Sequence, residues 1–134
     1  MSAAEHFFDT NVLLYLVSGD SEKADRAENL LAAGGALNVQ VLNEFASVAI
    51  RKFGMQLDAI RDILATVRSI CTVNALDADT HDLGLVLFER HGFSFVDALI
   101  VAAALLAGCR FLYTEDMQHG RIVEGLRIHN PFTH

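Results

Sequence analysis

The chain has 134 residues, a formal net charge of −7 and a hydrophobic fraction of 52%. This length predicts one domain over residues 1–134, which can bury its core without disulfides or a structural metal. The acidic balance excludes a sequence-independent nucleic-acid coat, because such binding depends on many lysine and arginine side chains that neutralise phosphates.

Hydropathy and composition also limit where the protein acts. The longest charge-free apolar stretch, residues 98–109, is too short to span a bilayer and predicts a buried core helix. The opening residues MSAAEHFFDT lack a basic leader and a long apolar run, so we expect a cytoplasmic location and no membrane contact.

Cys71 and Cys109 lie far apart and are expected to be buried thiols, and the six histidines do not have the spacing of a zinc site.

Hydrophobic periodicity and turn residues divide the chain into alternating strands and helices. In chain order the predicted elements are a strand at 6–8, helical spacing at 10–17, a helix at 22–33, a strand at 36–39, helices at 41–53 and 57–70, a strand at 71–75, helices at 79–90 and 94–107, and strands at 110–113 and 126–129. Expected N-caps include Asp20 or Ser21, and Asp79 or Thr80. The alternation predicts an α/β fold with a central, mostly parallel sheet flanked by helices.

Four acidic side chains stand at the ends of apolar runs: Asp9 in FFDTN, Glu44 in VLNEF, Asp97 in SFVDALIVAAA and Asp116 in FLYTEDMQHG. In open parallel sheets the polar site forms outside the carboxyl ends of the strands, where Asp9 and Asp116 would both lie. If the fold gathers all four, their oxygens suit Mg²⁺ or Mn²⁺, the hard cations that carboxylates bind. The sequence then indicates a metal-dependent phosphodiester hydrolase.

Each of these carboxylates also has a purely structural interpretation. Asp9 could cap the helix that follows it, and Asp97 stands three residues after Ser94 in the spacing of a capping box. Glu44 faces roughly away from the apolar stripe of its helix, which predicts an exposed side chain. Asp116 could be an ordinary turn residue. Only the combination of the four favours a shared site.

The run FFDTNVLLY, the mid-chain helix with Glu44, and SFVDALIVAAALLAGC followed by FLYTEDMQHG resemble the PIN-domain ribonucleases, in particular the VapC-type toxins of bacterial toxin–antitoxin pairs. The resemblance covers nearly the whole chain, and its first and last motifs are the most specific. It implies a PIN-like three-layer α/β fold and an endoribonuclease that needs Mg²⁺ or Mn²⁺. It also implies a homodimer that is bound by a small cognate antitoxin protein.

The resemblance also implies roles for individual residues. The catalytic and metal-binding acids would be Asp9, Glu44, Asp97 and Asp116, with Asp9 and Asp97 on the central metal. Their polar neighbours would be Thr10, Asn11 and Thr114, of which Thr114 would orient a ligand from the second shell of the metal. Candidates for contacts with RNA phosphates are Arg51, Lys52, Arg110 and Arg121. An arginine of the antitoxin is expected to enter the acidic pocket, because a guanidinium matches carboxylates.

Three other classes of protein remain open at this point. A response-regulator receiver shares the length, the sheet and an acidic metal pocket, but this chain lacks paired acids at its first strand and has no lysine after Lys52. A haloacid-dehalogenase-type phosphatase would need an aspartate two residues after Asp9, where Asn11 stands. A PIN-like module could bind RNA or a partner without cleaving, and the intact acids disfavour that alternative.

Overall fold

The computed structural model describes residues 4–133. The strands are β1 (His6–Phe8), β2 (Ala36–Asn38), β3 (Thr72–Asn74), β4 (Phe111–Tyr113), β5 (Ile122–Val123) and β6 (Leu126–His129). The helices are α1 (Thr10–Leu14), which continues as a 3₁₀ turn (Tyr15–Val17), α2 (Ser21–Ala32), α3 (Val39–Arg51), α4 (Leu57–Ile70), α5 (Ala78–His91) and α6 (Phe95–Leu106). The predicted alternation of strands and helices is confirmed.

The strands form one sheet in the order β3-β2-β1-β4-β6-β5. All neighbouring pairs are parallel except β5 and β6, which form an antiparallel hairpin. The chain moves from β1 outward to β3 and then returns to β4 on the other side of β1. Because crossovers between parallel strands are right-handed, this reversal puts the helices of the two halves on opposite faces of the sheet. The predicted α/β fold is therefore confirmed.

The reversal makes the gap between β1 and β4 the switch point of the sheet, and ligand sites of open α/β sheets form at the carboxyl ends of the strands there. Phe8 pairs with Tyr113 in register, and the Asp9 backbone N–H donates to the Tyr113 carbonyl at 3.0 Å. Asp9 and Thr114 thus leave the sheet side by side. The sheet topology, not the loops, sets their proximity.

The central strands and α6 supply much of the core. Phe7, Phe8 and Leu112 are fully buried, and α6 buries residues on most of its circumference, as its continuous apolar sequence predicts. Cys71 and Cys109 are buried free thiols, and burial raises the pKa of each to about 11. Within residues 4–133, no helix has the length and apolar character needed to cross a membrane.

Two predicted helix starts were wrong. Helix α5 begins at Ala78, since Asp77 accepts from the Thr80 backbone N–H at 3.1 Å, so Asp79 and Thr80 do not cap it. Helix α3 begins at Val39, because Asn38 ends β2 and also caps the helix. The strand predicted at 36–39 therefore ends at Asn38, and the helix predicted at 41–53 runs from Val39 to Arg51.

Strand β5 was not predicted. Glu124 and Gly125 have positive φ angles of 52° and 89°, which is the backbone of a two-residue hairpin turn between β5 and β6. A glycine in the second turn position, between apolar residues on both sides, was the available signal. A strand of two residues is too short for periodicity to detect.

Candidate functional site

The four predicted acids line one cleft of about 360 Å³ at the carboxyl edge of the sheet. Asp9 follows β1, Glu44 lies in the second turn of α3, Asp97 lies in the first turn of α6, and Asp116 follows β4. The structure thus brings together residues that are far apart in the sequence. Their assignment as metal ligands remains a prediction.

Asp9 is the buried centre of this cleft, with 5% of its surface exposed. Its Oδ1 accepts from the Thr10 backbone N–H at 2.7 Å, and its Oδ2 accepts from the Thr114 hydroxyl at 2.8 Å. Asp9 is also the N-cap residue of α1. The two interpretations of Asp9 are therefore compatible, because one carboxylate both begins the helix and faces the cleft.

Asn11 connects α1 to the segment that carries Asp116. Its Nδ2 donates to the Thr114 hydroxyl oxygen at 3.0 Å and to Asp116 Oδ2 at 3.1 Å, and its Oδ1 accepts from the Glu115 backbone N–H at 3.2 Å. The Thr114 hydroxyl oxygen also accepts from the Asp116 backbone N–H at 3.1 Å, which closes a turn. The polar neighbours expected around the acids do surround them.

The prediction of an exposed Glu44 was wrong. The side chain is half-buried, and its two oxygens accept from the Thr10 hydroxyl at 2.8 Å and from Gln40 Nε2 at 3.0 Å. Glu44 lies three residues after the buried Val41 and four before Val48, which lines the cleft, so it shares their side of α3. The side of α3 that faces the protein is therefore wider than its stripe of apolar residues.

Asp97 takes part in a cap through its backbone and in the cleft through its side chain. Its N–H donates to the Ser94 hydroxyl oxygen at 3.1 Å, which caps α6 as the S-x-x-D spacing predicts. Its carboxylate lines the same cleft as the other three acids. An acid at this position also favours the helix dipole. The choice between cap and site was therefore not a true alternative.

The cluster is electrostatically unfavourable as it stands. The pKa of Asp9 is raised from 3.8 to about 7, mainly by burial and to a smaller extent by the negative charges of Asp116 and Glu44, although hydrogen bonds from Thr114 and Thr10 lower it. Burial also raises the pKa of Asp97, with smaller contributions from the same two charges. Such mutual repulsion is relieved by a cation at the centre.

Of the four basic residues proposed for phosphate contacts, two lie at or beside the acidic cleft and two lie elsewhere. Arg51 lines the acidic cleft, and Lys52 lines a smaller cleft beside it. Arg110 lies at the start of β4, on the opposite edge of the sheet, where its Nη1 is 3.8 Å from a Glu5 oxygen. Arg121 donates to the His91 carbonyl at 2.8 Å. The structure does not bring Arg110 or Arg121 to the acids.

Other residues of the site were not identified from the sequence. Ser47 lines the cleft and Gln40 orients Glu44. These two residues lie three after and four before Glu44, so helical spacing could have found them. On the outer side of the Asp116 segment, Glu115 accepts from the Tyr15 hydroxyl. No short-range pattern connects residues 15 and 115.

The donor chemistry of the cleft fits Mg²⁺ or Mn²⁺. Carboxylate oxygens are the ligands these cations prefer, and a buried carboxylate with a raised pKa among like charges gains from a bound cation. Among residues 4–133, no three Asp, Glu, His or Cys side chains are already gathered closely enough to hold a metal ion. The fit therefore rests on the donor set and its electrostatics, not on preformed coordination.

Comparison with known proteins places this geometry in a family. The PIN domain description matches residues 6–124. A toxin–antitoxin complex from Klebsiella pneumoniae has a similar structure, with a TM-score of 0.70 and 21% identity over 96% of this chain and 98% of that chain. VapC20 of Mycobacterium tuberculosis, a sarcin–ricin loop cleaving toxin, has a TM-score of 0.67 and 24% identity over 84% of this chain and 92% of that chain.

DNA-bound VapBC from Salmonella typhimurium has a TM-score of 0.65 and 20% identity, over 96% of this chain and 98% of that chain. At these identities the solved structures establish a common fold. No protein of curated function matches the sequence.

The raised pKa of Asp9 predicts a pH dependence of stability in the metal-free protein. Asp9 binds its proton more tightly in the folded state, so its contribution to stability is fully present below pH 3.8 and is lost as pH rises through about 7. One such group changes the free energy of unfolding by at most about 1.4 kcal/mol per pH unit. Urea denaturation in chelator between pH 4 and 8 should therefore show a decline that Asp9→Asn reduces.

The matched control is Asp62→Asn, because Asp62 is an exposed residue of α4 outside the cleft. This variant should keep the wild-type pH profile. Identical profiles for wild type and Asp9→Asn would contradict the assigned electrostatics of Asp9.

Proposed function

The chain belongs to the PIN domain family, and from this premise we infer that it is an endoribonuclease that depends on Mg²⁺ or Mn²⁺ and acts as the toxin of a toxin–antitoxin pair. The observation that carries the proposal is the convergence of Asp9, Glu44, Asp97 and Asp116 on one cleft at the switch point of the sheet. The similar toxin structures support the same assignment. The cytoplasm, where RNA is available, is the proposed location.

We assign Asp9 and Asp97 to the central cation and Glu44 and Asp116 to outer coordination. When bound, a divalent cation would activate a water molecule and neutralise the charge that develops on the leaving oxygen of the phosphodiester. The carboxylates are the residues that bind it. The acidic cleft alone would repel RNA, so the cation and Arg51 on the rim together make it accept a phosphate.

The polar neighbours hold these acids in place. The Thr114 hydroxyl and the Thr10 N–H fix both oxygens of Asp9, which leaves the remaining lone pairs of the carboxylate to face the cleft. The Thr10 hydroxyl orients Glu44, and Asn11 orients Asp116. Loss of such orienting partners commonly costs roughly 10- to 100-fold in metal affinity or activity. We therefore propose Thr10, Asn11 and Thr114 as positioning residues.

The three alternative functions are excluded or disfavoured on different grounds. Membership of the PIN domain family excludes the receiver and the haloacid-dehalogenase-type phosphatase. A PIN-like module that binds without cleaving would have no need of four carboxylates in a cleft where burial and repulsion raise the pKa of Asp9 to about 7. The electrostatic cost of the cluster therefore favours catalysis over binding alone.

RNA cleavage in the presence of divalent metal tests the proposal. Purified protein is expected to cut total cellular RNA with Mg²⁺ or Mn²⁺ and to lose that activity in excess chelator. Asp97→Asn should lower the cleavage rate at least about 100-fold, since it removes a metal ligand and not only a partner of one. Circular dichroism should show that the fold is retained, because Asp97 is only half-buried.

Asp62→Asn is again the matched control, since it removes one negative charge away from the cleft. It should cut RNA at the wild-type rate. Full activity of Asp97→Asn, or undiminished activity of the wild type in chelator, would sink the metal-nuclease proposal.

A homodimer and an antitoxin complete the proposal. Leu85, Val86 and Phe88 of α5 are large apolar side chains that remain exposed, and such groups support a contact with a second copy. A separate apolar groove of about 340 Å³ lies between α2 and α4, and its size and lining suit a partner helix. VapBC structures from other bacteria and a toxin–antitoxin complex from Klebsiella pneumoniae have a similar fold, which supports an antitoxin partner.

Coexpression tests the partner. Expression of this chain alone is expected to arrest growth, and coexpression with the product of the adjacent gene should restore growth and suppress RNA cleavage in vitro. Asp97→Asn, expressed alone, should be harmless, because toxicity requires cleavage. A protein that is monomeric at micromolar concentration, harmless alone and indifferent to its neighbour's product would not be a toxin, even if it is a nuclease.

A further inference from the structure

A second, smaller cleft adjoins the acidic one. Its volume is about 190 Å³, and it shares the lining residues Asn11, Leu14 and Val48 with the acidic cleft. The rings of Tyr15 and Phe53 add to its largely apolar lining. Pockets that enclose a drug-sized ligand measure roughly 300–1,000 Å³. The size and lining of the smaller cleft therefore suit one planar group, such as a nucleobase, rather than a whole cofactor.

The residues at the end of α3 give this cleft its chemistry. Phe53 is 41% exposed, so its ring is accessible to a ligand. Arg51 lines the acidic cleft and Lys52 lines the smaller one. Neither cation takes part in an ion pair within residues 4–133. An exposed ring beside unpaired cations is the combination that single-stranded nucleic-acid sites use.

The position of these cations matters because the chain is acidic overall. The four carboxylates repel the phosphates of an approaching RNA backbone, except where a bound cation or a basic side chain lies between them. Arg51 provides positive charge in the acidic cleft, and Lys52 provides it in the smaller one, where Tyr15 and Lys23 already contact the Glu115 carboxylate. An RNA strand that runs from the acidic cleft into the smaller one passes Arg51 and then Lys52, and one of its bases comes near Phe53.

We propose that the smaller cleft is a subsite for one nucleotide of single-stranded RNA adjacent to the bond that is cleaved, with its base stacked on Phe53 and its phosphate held by Lys52. The inference rests on the proposed nuclease function and names how that site holds its substrate. Because every base has a flat face, such a subsite strengthens binding without selecting a sequence.

The two cations and the exposed ring of Phe53 each have another explanation, and each explanation predicts a result different from that of an RNA subsite. Arg51 and Lys52 stand at the C-terminal end of α3, where cations complement the helix dipole. In that case their loss would lower the melting temperature and leave RNA binding unchanged. Phe53 could instead contact a second copy or the antitoxin, and its loss would then weaken that association without changing the KM for RNA.

Substitutions at Phe53 separate stacking from simple apolar contact. Phe53→Leu keeps an apolar side chain but removes the ring, whereas Phe53→Tyr keeps the ring. With a single-stranded RNA oligonucleotide that the wild type cuts in Mg²⁺, Phe53→Leu is expected to raise KM about tenfold, the loss of one stacked base. Phe53→Tyr should have a KM close to that of the wild type. The effect should fall on KM more than on kcat.

Substitution of Lys52 tests the phosphate contact. Lys52→Gln should weaken binding of the same oligonucleotide and reduce the slope of log affinity against log salt by about 0.7, the value for one contact to a single strand. Arg68→Gln is the matched control, because Arg68 is an exposed cation in the last turn of α4 and lines neither cleft. It should leave KM and the salt slope unchanged.

The outcomes distinguish the subsite from the nuclease function. Cleavage by the wild type with unchanged KM in Phe53→Leu and unchanged salt slope in Lys52→Gln would overturn the subsite and leave the nuclease. Weaker dimer or antitoxin binding in Phe53→Leu at unchanged KM would also overturn it. Absence of cleavage by the wild type, with any divalent metal tested, would overturn both.

Discussion

The sheet topology brings several carboxylates to one edge, where they repel one another. The other features of the site depend on this repulsion. Strands β1 and β4 are neighbours in register although more than a hundred residues separate them, so Asp9 and the segment with Asp116 must share one edge. A buried ionised acid costs free energy unless it is paired. Burial and repulsion raise the pKa of Asp9 to about 7 even though hydrogen bonds from Thr114 and Thr10 stabilise its charge. A bound cation would relieve this repulsion, which is the physical reason for proposing metal binding in the cleft.

The hydrogen bonds around the acids orient them but do not neutralise them. Asn11 holds the segment after β4 from the inner side, through its bonds to Thr114, Asp116 and the Glu115 backbone. On the outer side, Tyr15 and Lys23 contact the Glu115 carboxylate. The segment is thus held on both sides, and none of these contacts brings a positive charge to the Asp116 carboxylate. This arrangement keeps the carboxylates in position and leaves their charge for a cation.

Most of the fold was predictable because its signals are local. Strong periodicity and capping residues gave α2, α4 and α6, and the acids at element ends, combined with the parallel sheet, indicated the cleft. Asn38 misled the boundary of α3 because one residue both ends a strand and caps a helix. Arg110 could have been excluded beforehand, because a residue at the start of β4 must lie on the edge opposite Asp116. The connection between Tyr15 and Glu115 depends on tertiary packing, which no local pattern encodes.

The most direct test of the central claim is the position of a bound cation. Crystals soaked in Mn²⁺ can be measured for anomalous scattering, which locates the metal independently of activity. A peak among Asp9, Glu44, Asp97 and Asp116 that disappears in Asp97→Asn crystals is the predicted result. A cleft without a peak at millimolar Mn²⁺, or a peak that persists unchanged in Asp97→Asn, would contradict the claim that this cluster exists to hold a cation.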